Sequence, residues 1–392
     1  MKNIYLDNAA TTRVDRNVFQ AMKPYFLDYY GNASEYHDPG NTAKRALEKS
    51  RITVAKYLGA NSKEILFTGS ATESINLAIK GLVEANRFVS KKIPEMIVSS
   101  IEHKAVLETC RHLENLGWAV VKYVPVDKYG LIDINVLKKA ISKNTLLISI
   151  MYVNNEVGTI QPLEKIKNLL LKVNKNRKHK VYFHTDATQA ILYQNCNVND
   201  LGVDMLSFSG HKIYAPKGIG ILYIRNGTTI ERQVDGGYQE SRLRSGTENI
   251  PYIIGLGEAI NKINYKDKEN KRLTKLRNLL IKGVMDIEGV LLTGHPQNRS
   301  SHIASFIVKR VEGESIVLRL SNKGVYISSG SACTSSDLTP SHVLSAMGYS
   351  PEDCHGSIRM SLGKETNVED VKYLLSILPT IIKDLREMSP LS

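Results

Sequence analysis

Apolar residues in this chain alternate between two textures. Short continuous runs read as strands, and longer stretches with apolar residues three and four apart read as helices. Ala43, Ala46, Leu47, Val54 and Leu58 recur near helical spacing, and Gly59 supplies the stop. Ile65-Leu66-Phe67-Thr68 is a strand, and Ile75, Ala78, Ile79 and Leu82 line one face of the helix behind it. Met96-Ile97-Val98 is a strand, followed by a helix over 106–116 and a strand over 118–124. The nearly unbroken apolar run over 146–153 is of the kind buried on both faces of a parallel sheet. A helix over 166–172 leads to strands over 181–184 and 205–208, and the strand over 220–224 suits an antiparallel partner. The alternation predicts an α/β fold: a mostly parallel central sheet with helices on both faces.

After about Gly257 the texture changes. A long charged helix is expected over 259–285, then strands over 305–308 and 325–328 among further helices. Thr366-x-x-Glu369 reads as the capping box of a last helix, which Pro379 should kink. This is a second, smaller α+β domain, with the boundary expected near residues 255–258.

Composition narrows the class. A chain of 392 residues with 42% hydrophobic and 23% charged residues is neither disordered, collagen-like nor a coiled coil. No stretch reaches the ~18 apolar residues that a membrane span needs. Asp7 interrupts any secretory signal core at the start, so a cytoplasmic protein without a membrane partner is expected. Cys110, Cys196, Cys333 and Cys354 form neither a disulfide framework nor a C-x-x-C zinc pair, and no metal is expected. The net charge of +13 suits an anionic partner or, more plainly, a Lys-rich solvated surface. The basic stretch over 165–180 reads as a solvated helix face. No nucleic-acid module is recognisable, so direct nucleic-acid binding is not expected.

In open parallel sheets, ligands bind beyond the carboxyl ends of the strands. The strand over 96–98 delivers Glu102-His103 there, and that over 146–153 delivers Asn154-Asn155-Glu156. The next two deliver Asp186 with Gln189, and Ser209-Gly210-His211-Lys212. Each alone reads as a turn or cap; together, on neighbouring strands, they read as a site. Gly69-Ser70-Ala71-Thr72-Glu73-Ser74 adds a helix start with Ser70-x-x-Glu73 as a capping box. Its free N–H groups and the Thr72 hydroxyl suit a phosphate, although the segment alone is an ordinary capped helix. Neither a G-x-G-x-x-G motif nor a Walker lysine is present.

This set suits pyridoxal 5'-phosphate, which needs a lysine to bond its aldehyde, an acid to keep its ring nitrogen protonated, and a phosphate cradle. Lys212 is the expected lysine and Asp186 the acid. His103 is expected to stack on the ring and Gln189 to bond the phenolic oxygen. Ser209 and His211 flank the lysine and reach the phosphate beside Ala71 and Thr72.

The second domain carries Cys333 among Ser328-Ser329-Gly330-Ser331-Ala332 and Thr334-Ser335-Ser336-Asp337. Small polar neighbours predict an exposed loop, whereas Cys110 sits among apolar helix neighbours. Cys333 is therefore the candidate nucleophile, and a thiol that is about 3% ionised at pH 7 needs activation. Thr339-Pro340 reads as an N-cap and first helical position. Ser357-Ile358-Arg359-Met360-Ser361 reads as a strand with Arg359 on its polar side, either a fork for a carboxylate or a surface ion pair.

Taken together these segments resemble the cysteine desulfurases of the NifS/IscS type. The resemblance runs from Tyr5-Leu6-Asp7-Asn8-Ala9-Ala10-Thr11-Thr12 to Ser389-Pro390-Leu391. It includes Glu102-His103-Lys104-Ala105-Val106, Val153-Asn154-Asn155-Glu156, Asp186-Ala187-Thr188-Gln189, Ser207 to Lys212, and Arg244-Ser245-Gly246-Thr247. The long Ser-Ser-Gly-Ser-Ala-Cys-Thr loop resembles the first group of these enzymes. Two segments depart from the family pattern: Gly69-Ser70 stands where Ser-Gly is usual, and Gly31-Asn32-Ala33-Ser34-Glu35-Tyr36-His37 lacks the usual Pro-Ser-Ser.

The resemblance implies a pyridoxal-phosphate-dependent transferase of fold type I. Residues 15–257 would form the large cofactor domain, and 1–14 with 258–392 the small domain that carries Cys333. It implies a homodimer, with Thr247 lending a contact to the cofactor phosphate of the other subunit. Asn155 and Arg359 would hold the substrate carboxylate, with Asn155 also near the phenolic oxygen. The implied reaction converts L-cysteine to L-alanine: Lys212 moves the Cα proton, His103 shuttles protons, and Cys333 takes the sulfur as a persulfide. The sulfur would pass to an acceptor protein, an iron–sulfur scaffold or a tRNA-thiolation enzyme. A selenocysteine lyase or a transaminase of the same fold is the alternative.

Overall fold

The computed structural model describes residues 3–90, 92–330 and 340–388, and no helix among them is long and apolar enough to cross a membrane. Its first strands are β1 (Ile4–Tyr5), β2 (Ile65–Thr68), β3 (Glu95–Ser99) and β4 (Val120–Val124). They are followed by β5 (Thr145–Ser149), β6 (Tyr182–Asp186), β7 (Met205–Ser209) and β8 (Gly220–Ile224). The later strands are β9 (Val290–Leu292), β10 (Ile303–Val308), β11 (Val325–Tyr326), β12 (Ser328–Ser329) and β13 (Ser357–Ser361).

Seven strands form the central sheet in the order β2-β8-β7-β6-β5-β3-β4. The pairs from β4 through β7 are parallel, and β8 runs antiparallel between β7 and β2. Side chains alternate across the pleat. Ile97, Ile148, Phe183 and Phe208 pack on one face with the helices Asp38–Leu58, Leu163–Asn174 and Ile250–Asn261. Met96, Val98, Leu147 and Met205 pack on the other with Ala71–Val89 and Lys104–Asn115. The expected α/β architecture, with helices on both faces, is the one observed. Helix Asp38–Leu58 ends where predicted, at Gly59, whose φ of +65° favours a residue without Cβ.

A third core lies against the antiparallel sheet β12-β13-β10-β9. Phe306, Ile358 and Met360 of that sheet meet Leu276, Leu280, Leu374 and Leu378 of helices Lys266–Met285 and Val368–Met388. Ile4 and Leu6, at the other end of the sequence, pack into the same core, and β1 pairs parallel with β11.

Several local expectations need correction. The apolar run over 146–153 is strand only to Ser149; its remainder, with Ile150, Met151 and Val153 buried, turns to carry Asn154 and Asn155. The helix expected over 259–285 is two, Ile250–Asn261 and Lys266–Met285, with a 3-10 turn between. The break lets the chain leave the core that holds Leu256 and Ile260 for the one that holds Leu273 and Leu276. The strand expected over 325–328 is β11 and β12, which join different sheets. The last helix is capped one residue later than expected. Asn367 Oδ1 accepts from Asp370 N at 3.1 Å and Asp370 Oδ2 from Asn367 N at 3.0 Å, while Thr366 Oγ1 accepts from Gly363 N. That helix continues through Pro379 to Met388.

Candidate active site

Because β3, β5, β6 and β7 lie side by side, the residues that follow them meet at one edge of the sheet. They line a cavity of about 430 Å³, within the size range of small-molecule sites. Ala71, Thr72, His103, Asn155, Asp186, Gln189, Ser209, His211, Lys212 and Arg359 all line it. Thr247 does not; it is exposed, in the segment before helix Ile250–Asn261. Cys333 and the rest of residues 331–339 lie outside the described residues, as does Thr339 of the expected Thr339-Pro340 cap. The next helix, His342–Ala346, is instead capped by Ser341, whose Oγ accepts from Leu344 N at 3.2 Å. Ser328, Ser329 and Gly330, just before Cys333 in the sequence, form part of the cavity wall.

Buried hydrogen bonds fix the floor. His184 of β6 bonds Ser149 Oγ through Nδ1 at 2.8 Å and Ser207 Oγ through Nε2 at 3.0 Å, tying three neighbouring strands beneath Asp186. Burial holds the His184 ring far down, at about 4, so it is neutral. Asp186 Oδ1 accepts from Thr188 N at 2.9 Å. Lys212 Nζ donates to the carbonyls of Ala9 and Ala10 at 2.7 and 2.5 Å. Gln189 Nε2 donates to the same Ala9 carbonyl at 2.8 Å, and its Oε1 lies 3.2 Å from His302 Nε2. The N-terminal segment thus crosses the cavity and touches both Lys212 and Gln189.

His103 caps helix Lys104–Asn115: its Nδ1 accepts from Ala105 N at 3.1 Å. Burial lowers its basicity, with Asp186 opposing that shift and Lys212 adding to it. The ring is therefore neutral near pH 7, with its hydrogen on Nε2. Burial and the nearby charges of Lys212 and Lys217 lower His211 to about 4. Ser70 Oγ caps helix Ala71–Val89 by accepting from Glu73 N at 3.1 Å. The expected reciprocal bond is displaced: Glu73 accepts from Gly69 N at 2.7 Å and pairs with Arg244 at 2.8 Å. Among the described residues no protein acceptor takes the N–H groups of Ala71 and Thr72.

Arg359 is not on a polar face, because every residue of β13 is buried. The guanidinium lines the cavity as part of a part-buried ion pair. Its Nη2 lies 2.9 Å from Asp7 Oδ1, Nη1 donates to Asn155 O at 2.9 Å, and Nε has no partner among the described residues.

Sequence reasoning placed Glu156 at the strand end without a role, and gave no site role to Asp7, His302 or His342. Asp7 and Glu156 line the cavity, and Ser341 Oγ donates to Glu156 Oε2 at 2.5 Å. His342 Nε2 lies 2.9 Å from Glu102 O. His302, stacked on Tyr193 at 3.9 Å, supports Gln189 from below. Each acts across more than 100 positions of sequence, and only the adjacency of Glu102 to His103 and of Glu156 to Asn155 hinted at any of them.

The aminotransferase class-V family model matches residues 4–374. The chain is 47% identical over its full length to the cysteine desulfurase IscS of Methanosarcina thermophila, and the match covers 95% of that protein. The chain belongs to the class-V aminotransferases, among their cysteine desulfurases. A solved NifS-like protein superposes with a TM-score of 0.90 at 38% identity, covering 98% of this chain and all of that one. A structure of SspA in complex with cysteine matches with a TM-score of 0.80 at 37% identity, covering 92% and 98% of the two chains. Family members are pyridoxal-phosphate enzymes. The donor set here fits that group: a lysine and a buried acid share one cavity, and a helix N-terminus there offers uncommitted N–H groups. Gly220 lets β8 pass against that helix start, since a Cβ there would stand 2.4 Å from Ser70 C.

Proposed function

We propose that this enzyme converts L-cysteine to L-alanine and holds the released sulfur on Cys333 as a persulfide for an acceptor protein. The observation that carries this reading is the convergence of Lys212, Asp186, His103 and Arg359 on one cavity whose wall includes the residues leading to Cys333. Ala71, Thr72, Ser209 and His211 hold the phosphate of pyridoxal phosphate, Asp186 its ring nitrogen, and Gln189 with Asn155 its phenolic oxygen. When bound, that group withdraws electrons from the substrate's Cα and lets the Cβ–S bond weaken.

The chain's own residues do the rest. Arg359 and Asn155 seize the substrate's carboxylate. Lys212 lets go of the Ala9 and Ala10 carbonyls and moves the proton at Cα. His103 takes a second proton only at Nδ1, so it shuttles protons by releasing Ala105 N. Cys333, as thiolate, attacks the substrate's sulfur; the Cβ–S bond breaks and alanine leaves. The working unit is a homodimer in which Thr247 reaches the other subunit's phosphate, and the division into 15–257 and 1–14 with 258–392 stands as part of this reading. The acceptor is an iron–sulfur scaffold or a tRNA-thiolation enzyme of the cytoplasm.

Borohydride treatment of the cofactor-loaded protein, followed by peptide mapping, tests the core of the proposal. The label is expected on Lys212. A label on any other lysine contradicts the assignment.

A further inference from the structure

Arg359, proposed above as the fork for the substrate's carboxylate, already holds a carboxylate of the protein's own. Asp7 Oδ1 lies 2.9 Å from Nη2, and Nη1 is spent on Asn155 O. Nε, buried, has no partner among the described residues. Nε and Nη2 make up the edge of a guanidinium that takes a carboxylate side-on through two parallel hydrogen bonds. Asp7 occupies one corner of that edge and leaves the other empty, a costly state for a buried donor. Both residues line the cavity with Lys212. The Asp7 side chain is twice as exposed as that of Arg359, 20% against 10%, so Asp7 keeps access to water if it is displaced.

We infer that Asp7 is a stand-in for the substrate's carboxylate. It neutralises Arg359 in the empty site and yields the Nε–Nη2 edge when an amino acid binds, so its charge sets the affinity for substrate. The inference rests on the carboxylate role of Arg359. A purely structural role, in which Asp7 is a strut that aims the guanidinium, makes the opposite prediction: neutralising Asp7 would then weaken binding.

Calorimetric titration of the cofactor-loaded protein with L-alanine, which carries the substrate's carboxylate but no sulfur, separates the two. In Asp7→Asn the Kd for alanine is expected to fall on the order of tenfold, as one competing charged hydrogen bond is lost. The KM for cysteine should fall by more than kcat changes. Unchanged or weaker alanine binding overturns the inference. If Asp7→Asn does not fold, as judged by circular dichroism, Asp7→Ser takes its place; failure of both to fold also overturns it, since Asp7 would then be a structural counter-ion. Wild-type alanine affinity in Arg359→Gln would instead refute the role given to Arg359, a failure distinct from that of Asp7.

Discussion

Glu102 is a carboxyl group shut inside the protein, with no ion pair among the described residues. Its Oε1 accepts from Ser99 Oγ at 2.5 Å and Met151 N at 2.9 Å, while Oε2 is buried without a partner among the described residues. Burial pushes it up to about 8, so the folded protein keeps a proton that the unfolded chain has lost. A raised carboxyl makes stability fall as pH rises from about 4.5 towards 8, and level off above. At about 1.4 kcal/mol per pH unit, the loss at pH 7 is on the order of 3 kcal/mol. Glu102→Gln keeps both accepted hydrogen bonds and removes the titration. Its stability relative to wild type, from urea unfolding at several pH values, should therefore climb between pH 5 and 8; a constant difference would show that Glu102 is ionised in the fold. At this scale the sequence marked the polar residues that end strands, because the position after a parallel strand is itself a signal. It did not mark Asp7 or His302, whose roles come from contacts with Arg359 and Gln189 that no local pattern encodes.

Among the elements, the segment Gln239–Arg242 is held against its own preference. Glu240, Ser241 and Arg242 have φ of +45°, +56° and +70°, each costing roughly 1–2 kcal/mol for a residue with Cβ. Glu240 offsets this by accepting two bonds from Arg51, at 2.7 and 2.9 Å, and one from Phe67 N at 2.9 Å. The pair is buried, so Glu240→Ala leaves Arg51 without its counter-charge and should lower stability by about 3–5 kcal/mol in a denaturant titration. A loss under 1 kcal/mol would mean that the turn stands without the pair. Central-sheet elements were legible from apolar runs to within a few residues, because strands buried on both faces leave an unmistakable pattern. Elements of the smaller sheet were less so: β11 and β12 are two residues each, and only the Ile327 step between them separates two sheets. Nothing in the local sequence distinguishes that from one strand.

Taken as a whole, the molecule joins its two ends. Ser361 N donates to Leu6 O at 2.6 Å and Asn8 Nδ2 to Ser361 O at 3.0 Å, so the segment that holds Lys212 at rest is fastened to the strand that carries Arg359. Hydrophobic texture could place a second domain after residue 257, but the return of the N-terminus to it was carried by the family resemblance alone. Tyr30, Tyr36 and Tyr238 are 76%, 92% and 76% exposed in the single chain, a cost that a subunit interface would remove. Sedimentation equilibrium of the cofactor-loaded enzyme should give a dimer, and Thr247→Ala should weaken retention of the cofactor on dialysis. An active monomer would contradict both.

The fate of the substrate's sulfur decides between a desulfurase and a transaminase. Brief exposure of the cofactor-loaded protein to L-cysteine, then alkylation and peptide mass spectrometry beside an alanine assay, tests this directly. Cys110, Cys196 and Cys354 are buried, and burial raises the thiols of Cys110 and Cys354 away from ionisation. The expected result is one added sulfur on the peptide that contains Cys333, with alanine formed, and neither in Cys333→Ser beyond a trace. Sulfur found on Cys110, Cys196 or Cys354, or alanine made by Cys333→Ser at the wild-type rate, would contradict the account.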